Sequence, residues 1–404
     1  MNRKPPLLWS RRTLLRRGAW AAGAAALGAP APSSRAEDSP LASHRIAALE
    51  FRTVRIPWPR QVGRNAMLGI HGRGPSPEVA VLRSDQGALG WGHLQSDRKS
   101  AEALRDLLAG KSIAELIDPA AGILDRRLHP VDVPLHDLAA GILGVPVWHM
   151  LGGRDALDHP KVYSGMIYFD DLDPAEEPGG IDKVLENCRW DHEYGYRQLK
   201  IKIGRGNKWM PTSEGLQRDI DVVRAIHGAF PDCELLVDGN NGFTVETFVR
   251  FLEGIEGIPL FWIEEPFHET IAEWTVLRNW LVTHGREKAY RADGEAAPDV
   301  PVLEALEKDH TLNLRLTDIC GLGFTEWRRL MPKLIAGGIA ASPHTWGSAL
   351  KTVYTAHLAA ALGNTPTVEG VTTAGGDVDF EENRIVEARF QPSSKPGFGL
   401  GLPA

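Results

Sequence analysis

Only three cysteines occur in 404 residues, Cys188, Cys233 and Cys320, and they are odd in number and widely scattered. That pattern excludes a disulfide framework and favours thiols packed in a core. Basic residues are scarce in a telling way: residues 1–36 hold seven Lys/Arg and no acid, and no basic block follows. Taking those seven away from the formal charge of −7 leaves about −14 for the remainder. A body that acidic cannot neutralise phosphates, which excludes a nucleic-acid partner. No apolar run is long enough to span a bilayer. From about residue 160 onward hairpin signals are missing between the apolar runs, which argues against an antiparallel meander there. What remains is an ordinary globular composition, 43% hydrophobic and 24% charged, sized for two domains or one barrel with an attachment.

The basic start has an order of its own. Ser10-Arg11-Arg12-Thr13-Leu14-Leu15-Arg16 resembles a twin-arginine export signal, followed by a weakly apolar Gly18–Leu27 and a small-residue site at Ser34-Arg35-Ala36. Residues 1–36 are thus expected to be removed, leaving a periplasmic or exported protein that begins near Glu37 and has no stable membrane association.

Beyond residue 160 short apolar runs alternate with amphipathic stretches. Strands are expected at Val162–Met166, Gln198–Ile203, Glu234–Asp238, Leu260–Glu264, Ala289–Asp293, Leu312–Asp318 and Ile339–Ser342. Helices are expected at Leu216–Ala229, Val245–Leu252, Leu303–Leu306 and Ala349–Leu362. Strand, helix, strand repeated this often implies a parallel sheet whose crossovers are helices. Polar residues follow the strands at Lys202, Asp238, Glu264, Glu295, Asp318 and His344, in steps of 36, 26, 31, 23 and 26, each about one β-plus-α unit. Groups from many successive strand ends meet at one point only if the strands close into a ring, so the fold class is α/β, a modified (β/α)8 TIM-type barrel. Residues 37–158 read differently, with Ile46–Pro57 and Glu78–Gly90 as meander strands and helices at Ala101–Leu107, Ile113–Leu116 and Pro134–Leu151. The expected division is a capping α+β module at 37–158, a barrel at 159–373 and a tail at 374–404. That tail, with a strand-like Arg384–Phe390, should return to the capping module.

The stretch Arg197-Gln-Leu-Lys-Ile-Lys-Ile-Gly204 places Lys200 and Lys202 on one face of a strand and Leu199, Ile201 and Ile203 on the other. Two like charges side by side are expensive unless an anion or a reaction needs them. Lys200-Ile-Lys202, Asp238-Gly-Asn240, Ile263-Glu264-Glu265-Pro266, Gly294-Glu295 and Ser342-Pro-His344, taken in order, resemble the enolase superfamily in its mandelate racemase subgroup. The resemblance covers nearly the whole mature chain, including Leu-Gly-Val-Pro-Val and Leu-Gly-Gly within 143–153. It implies homo-oligomers, dimers or octamers, acting on a small-molecule carboxylate.

Asp238, Glu264 and Glu295 are hard oxygen donors with no Cys or His among them, a set suited to Mg²⁺. The resemblance implies the same three ligands, although Asp293-Gly-Glu295 offers two acids for the third place. Lys202 is expected to act as base, its charge made less favourable by Lys200 and the cation. Lys200 would contact the substrate carboxylate. Opposite them, His344 resembles the family's second acid/base group and Asp318 its orienting partner, one residue later than the family pattern places it. Asn240 and Glu265 complete the motif set as substrate-binding residues. Pro59–Arg73 looks like the loop that closes over substrate in this family, with Arg60, Arg64 and Asn65 expected to contact hydroxyls or a distal carboxylate.

With a base on one face and an acid on the other, removal of the proton α to a carboxylate gives an enediolate that has two fates. Reprotonation gives racemisation or epimerisation; loss of a β-hydroxyl gives dehydration. Ser342-Pro-His344-Thr-Trp-Gly-Ser348 resembles the histidine loop of sugar-acid dehydratases more than that of the racemase, which favours a sugar-acid dehydratase. A non-catalytic exported sugar-acid binder is the alternative of another class, and bases on both faces argue against it.

Overall fold

The structure, a computed structural model, describes residues 39–153, 159–295, 297–380 and 382–402. The export-signal segment, the expected domain boundary at 158/159 and Ala296 lie outside the described residues.

Strands β1 (Ile46–Thr53), β2 (Glu78–Ser84) and β3 (Leu89–His93) form an antiparallel sheet in sequence order. Helix α1 (Asp132–Leu143) lies so close to it that a Cβ on Gly90 would meet the Leu138 backbone at 2.3 Å. A glycine is required at that crossing. The helical stretch expected over 134–151 is broken at Gly144, whose φ of 69° ends α1 in the left-handed conformation favoured by glycine.

The barrel follows as β4 (Lys161–Ile167), α2 (Gly180–Tyr194), β5 (Gln198–Lys202), α3 (Thr212–Ala229), β6 (Glu234–Asp238), α4 (Val245–Gly254), β7 (Leu260–Glu264) and α5 (Ile271–Thr283). It continues through β8 (Tyr290–Asp293), α6 (Val300–Lys308), β9 (Leu314–Arg315), α7 (Phe324–Gly337), β10 (Ala340–Ala341), α8 (Ala349–Leu362) and β11 (Thr367–Gly370). Strands β4 to β10 pair in parallel in sequence order, and β11 pairs with β4. The seam between β10 and β11 is joined by Ala341 N donating to Asn364 O at 3.0 Å and Ser342 Oγ donating to Thr367 O at 2.8 Å. Seven strands were expected; β11 is the eighth, and it closes the ring.

Side-chain alternation explains how the barrel carries charge inside. Leu199, Ile201 and Ile203 enter the apolar layer between strands and helices, alongside Phe248, Phe251 and Leu252 of α4. Each such fully buried aliphatic or aromatic side chain stabilises the fold by about 1.5–3 kcal/mol. The other face of the strands looks into the barrel, where Tyr163, Leu236, Trp262, Ala292, Leu314 and Leu316 form a separate apolar plug. Lys200 and Lys202 share that inward face, nearer the C-terminal strand ends where barrels carry their chemistry.

The tail departs from the single strand expected at Arg384–Phe390. It is a hairpin of β12 (Arg384–Val386) and β13 (Arg389–Gln391), turning at Glu387 and Ala388 with φ of 49° and 58°. Neither residue is the glycine or asparagine that usually marks such a turn, which hid it in the sequence. From there the chain returns to the first module: Val147 N donates to Gly397 O at 2.8 Å and Phe398 N to Asp137 Oδ1 at 2.9 Å.

Candidate active site

Register places the charged residues side by side. Lys202 pairs with Asp238 across β5 and β6, and Asp238 with Glu264 across β6 and β7. Glu295 follows β8, and Asp318 and His344 form a bridge pair just beyond β9 and β10. Carboxylate oxygens of Asp238, Glu264 and Glu295 lie within 4.8 Å of one another. The competing acid, Asp293, is tied down elsewhere: its Oδ2 accepts from Trp274 Nε1 at 2.9 Å and its Oδ1 from Gly294 N at 2.6 Å. Burial and then Glu269 push its carboxyl up to about 8.

Cations interleave with these acids. Lys200 Nζ sits 2.8 Å from Glu264, 3.1 Å from Asp238 and 3.0 Å from Glu369. Burial alone would lower its pKa, but Glu264 and Glu369 outweigh burial and hold it well above the ordinary lysine value. Lys202 Nζ bonds Asp238 Oδ2 and faces the Tyr168 ring, 5.2 Å from its centroid. Across the site His344 Nε2 is 3.1 Å from Glu295 Oε1, and its Nδ1 is 3.2 Å from Asp318 Oδ2. Burial opposes the imidazolium, yet Glu295, Glu369 and Asp318 raise His344 to about 10.

The donor set fits Mg²⁺. Its members are all carboxylates, and Glu264 Oε2 and Glu295 Oε2 are buried without a hydrogen-bond partner. Burial, then Asp238, pushes Glu264 well above the ordinary carboxylate range, the response expected of acids crowded around a place for positive charge. Four acids, Asp238, Glu264, Glu295 and Glu369, face three cations, Lys200, Lys202 and His344.

Asn240 and Glu265 adjoin the site with φ of 42° and 39°, a conformation that costs non-glycine residues energy and clusters at functional positions. Asn240 Oδ1 is buried without a partner. Glu265 Oε1 accepts from Glu295 N at 3.0 Å and so holds the loop that carries Glu295.

The three loop residues expected to contact substrate each have partners within the protein. Arg60 is spent on a bidentate pair with Asp191 at 2.7 and 2.8 Å and a bond to Met166 O. Arg64 pairs with Asp173 at 2.7 Å and lies over the Trp209 ring. Asn65 Oδ1 accepts from Met67 N and Leu68 N, forming the loop's own turn. All three build the loop, and none joins the acids. The residue this loop does bring near is His71, whose ring packs 4.8 Å from Tyr168 and 5.7 Å from Trp346. Burial, with Lys202 adding to it, lowers the His71 pKa.

Two charged residues escaped the sequence reading. Glu369 lies 25 positions after His344, within the range of 23 to 36 spanned by the other steps, so extending the series would have found it. Its Oε2 accepts from Thr345 N at 2.9 Å, which locks it beside the histidine loop. Lys351, from the first turn of α8, reaches Asp318 Oδ2 at 2.8 Å. The three cysteines are free and buried, as expected.

Comparison with known proteins agrees with this geometry. A family model described as "Enolase C-terminal domain-like" matches residues 183–403. Galacturonate dehydratase from a Geobacillus species, solved with D-galacturonate and 5-keto-4-deoxy-D-galacturonate, is 29% identical, with a TM-score of 0.81 over 89% of this chain and 95% of its own. A mandelate racemase/muconate lactonizing protein from Geobacillus sp. Y412MC10, solved with magnesium and tartrate, is 28% identical, with a TM-score of 0.82 over 90% and 94%. D-galactarolactone cycloisomerase of Agrobacterium fabrum is 23% identical over 68% of this chain and 72% of its own. With the ring of parallel strands, the acids at their ends and these matches together, the chain belongs to the enolase superfamily, in its mandelate racemase-like subgroup, and is an enzyme of the lyase or isomerase kind.

Proposed function

We propose that this enzyme dehydrates a sugar acid. The observation that carries the reading is the cluster of Asp238, Glu264 and Glu295, within 4.8 Å of one another, with Lys202 on one flank and His344 on the other. Those three carboxylates would hold Mg²⁺, which when bound supplies positive charge beside the substrate carboxylate.

The residues divide the work by charge and position. Lys202 Nζ, acting as the neutral amine, takes the proton from the carbon α to the carboxylate, leaving an enediolate. Lys200, fixed among Glu264, Asp238 and Glu369, keeps its charge and balances the negative charge that develops. His344 Nε2 gives its proton to the β-hydroxyl, so the C–O bond breaks, water leaves and the resulting enol ketonises. Asp318 holds the imidazole through Nδ1.

Dehydration is favoured over epimerisation because Ser342-Pro-His344-Thr-Trp-Gly-Ser348 resembles the histidine loop of sugar-acid dehydratases more than that of the racemase. Similarity to a galacturonate dehydratase at 29% identity supports the same choice. The twin-arginine segment adds the proposal that the enzyme works after export. The test is incubation of the Mg²⁺-loaded protein with aldonic, aldaric and uronic acids, with and without EDTA. Keto-deoxy products that vanish with EDTA are expected; α-deuterium exchange without product would point to epimerisation instead.

A further inference from the structure

Asp318 is held by more than its histidine. Its Oδ1 accepts from Cys320 N at 2.9 Å and Gly321 N at 2.8 Å, and its Oδ2 accepts from both His344 Nδ1 at 3.2 Å and Lys351 Nζ at 2.8 Å. The lysine is the nearer of the two cations. Lys351 stands in the first turn of the helix Ala349–Leu362, where the backbone dipole disfavours positive charge, and its side chain is only 16% exposed. A lysine at a helix start, largely out of water, costs stability unless a specific partner offsets it. The same turn also supports Glu369, since Thr352 Oγ1 donates to Glu369 O at 2.9 Å.

We propose that Lys351 is a positioning residue: by gripping Asp318 Oδ2 it sets the carboxylate plane that presents the same oxygen to His344 Nδ1, and so aims Nε2 at the reacting hydroxyl. The two backbone N–H groups hold Oδ1 from within Asp318's own turn. Lys351 holds Oδ2 from a different element, the helix Ala349–Leu362, and so resists any swing of the carboxylate away from His344 Nδ1. An arginine could reach the same oxygen; a methionine would fill the space and release it.

This inference rests on the dehydratase reading, so its test has one arm that needs no turnover. In ¹⁵N-histidine NMR, with His344→Asn to assign the signal, the downfield Nδ1–H of His344 is expected in wild type and Lys351→Arg and is expected to be lost or exchange-broadened in Lys351→Met. In the kinetic arm, Lys351→Met should lower kcat roughly 10–100-fold, the usual cost of losing an outer supporting partner, with KM within about twofold and substantial rescue by Lys351→Arg. Exchange of the α-proton, which Lys202 carries out, should persist. An unchanged imidazole signal in Lys351→Met, or equal loss of exchange and turnover with the fold intact, would overturn the role of Lys351. Absence of sugar-acid turnover in wild type alongside the expected NMR change would overturn the dehydratase reading and leave the positioning role standing.

Discussion

Lys200 Nζ lies 3.0 Å from Glu369 Oε1, a contact that links the second barrel strand to the eighth inside the ring. The Glu369 carboxylate also stands 3.8 Å from His344 Nε2, so it belongs to both flanks of the site. Glu369→Gln keeps the shape and the acceptor for Thr345 N but removes a charge that helps balance Lys200 and His344. Turnover should fall roughly 10–100-fold with an unchanged thermal midpoint. Full activity in this variant would place Glu369 outside the reaction.

Mg²⁺ binding can be read without substrate. Saturating the protein at about 100 times Kd should stabilise it by about 2.7 kcal/mol, visible as a raised thermal midpoint. Glu264→Gln removes one of three carboxylates and should weaken Mg²⁺ at least roughly tenfold by calorimetry. Equal Mg²⁺ affinity in wild type and Glu264→Gln would show that the ion binds elsewhere.

Arg60 separates a structural loop from a substrate-reading one. Arg60→Met leaves the fully buried Asp191 carboxylate without its cation, and uncompensated buried charges of this kind cost about 3–5 kcal/mol. Denaturant unfolding should show that loss, while relative kcat/KM values across the acid panel stay as in wild type. A changed substrate order with unchanged stability would restore Arg60 to the site.

Acid should weaken the junction between barrel and tail. Burial holds the imidazole of His357 down at about 3, while its Nδ1 accepts from Trp148 N at 3.2 Å and its ring meets Phe398. The folded value lies below the unfolded value of about 6.5, so the unfolded chain takes up a proton that the folded one refuses. The contribution is complete above about pH 6.5 and is lost as pH falls toward about 3, at up to about 1.4 kcal/mol per pH unit. His357→Gln, which keeps an acceptor for Trp148 N, should flatten the stability profile between pH 6 and 4. The same slope in both proteins would assign the acid sensitivity to other groups.

How far the sequence led depended on whether a residue's role was local. Glu234–Asp238 and Leu260–Glu264 were legible to the residue, because each is an apolar run stopped by an acid. Expected Leu312–Asp318 shrank to Leu314–Arg315, since past Arg315 the backbone leaves the ladder and Asp318 becomes the cap of a short helix. Thr367–Gly370 carries a buried acid in place of an apolar run, so alternation could not mark it as a strand. Spacing brought Lys202, Asp238, Glu264, Glu295 and His344 to one place in the sequence reading, and the structure puts them there. Arg60 and Lys351 were beyond reach for one reason: their partners lie 131 and 33 positions away, and pattern alone does not show which acid a long side chain will meet.

The central claim, that Lys202 removes a proton α to a carboxylate beside an acid-held cation, is tested most directly by following the α-proton itself. In D₂O with Mg²⁺ and a sugar acid that wild type converts, ¹H NMR should show loss of the α-proton signal with formation of a keto-deoxy acid. Both should stop with EDTA and in Lys202→Ala, while Lys202→Ala still binds the acid. Loss of the α-proton at the wild-type rate in Lys202→Ala, or in EDTA, would contradict it.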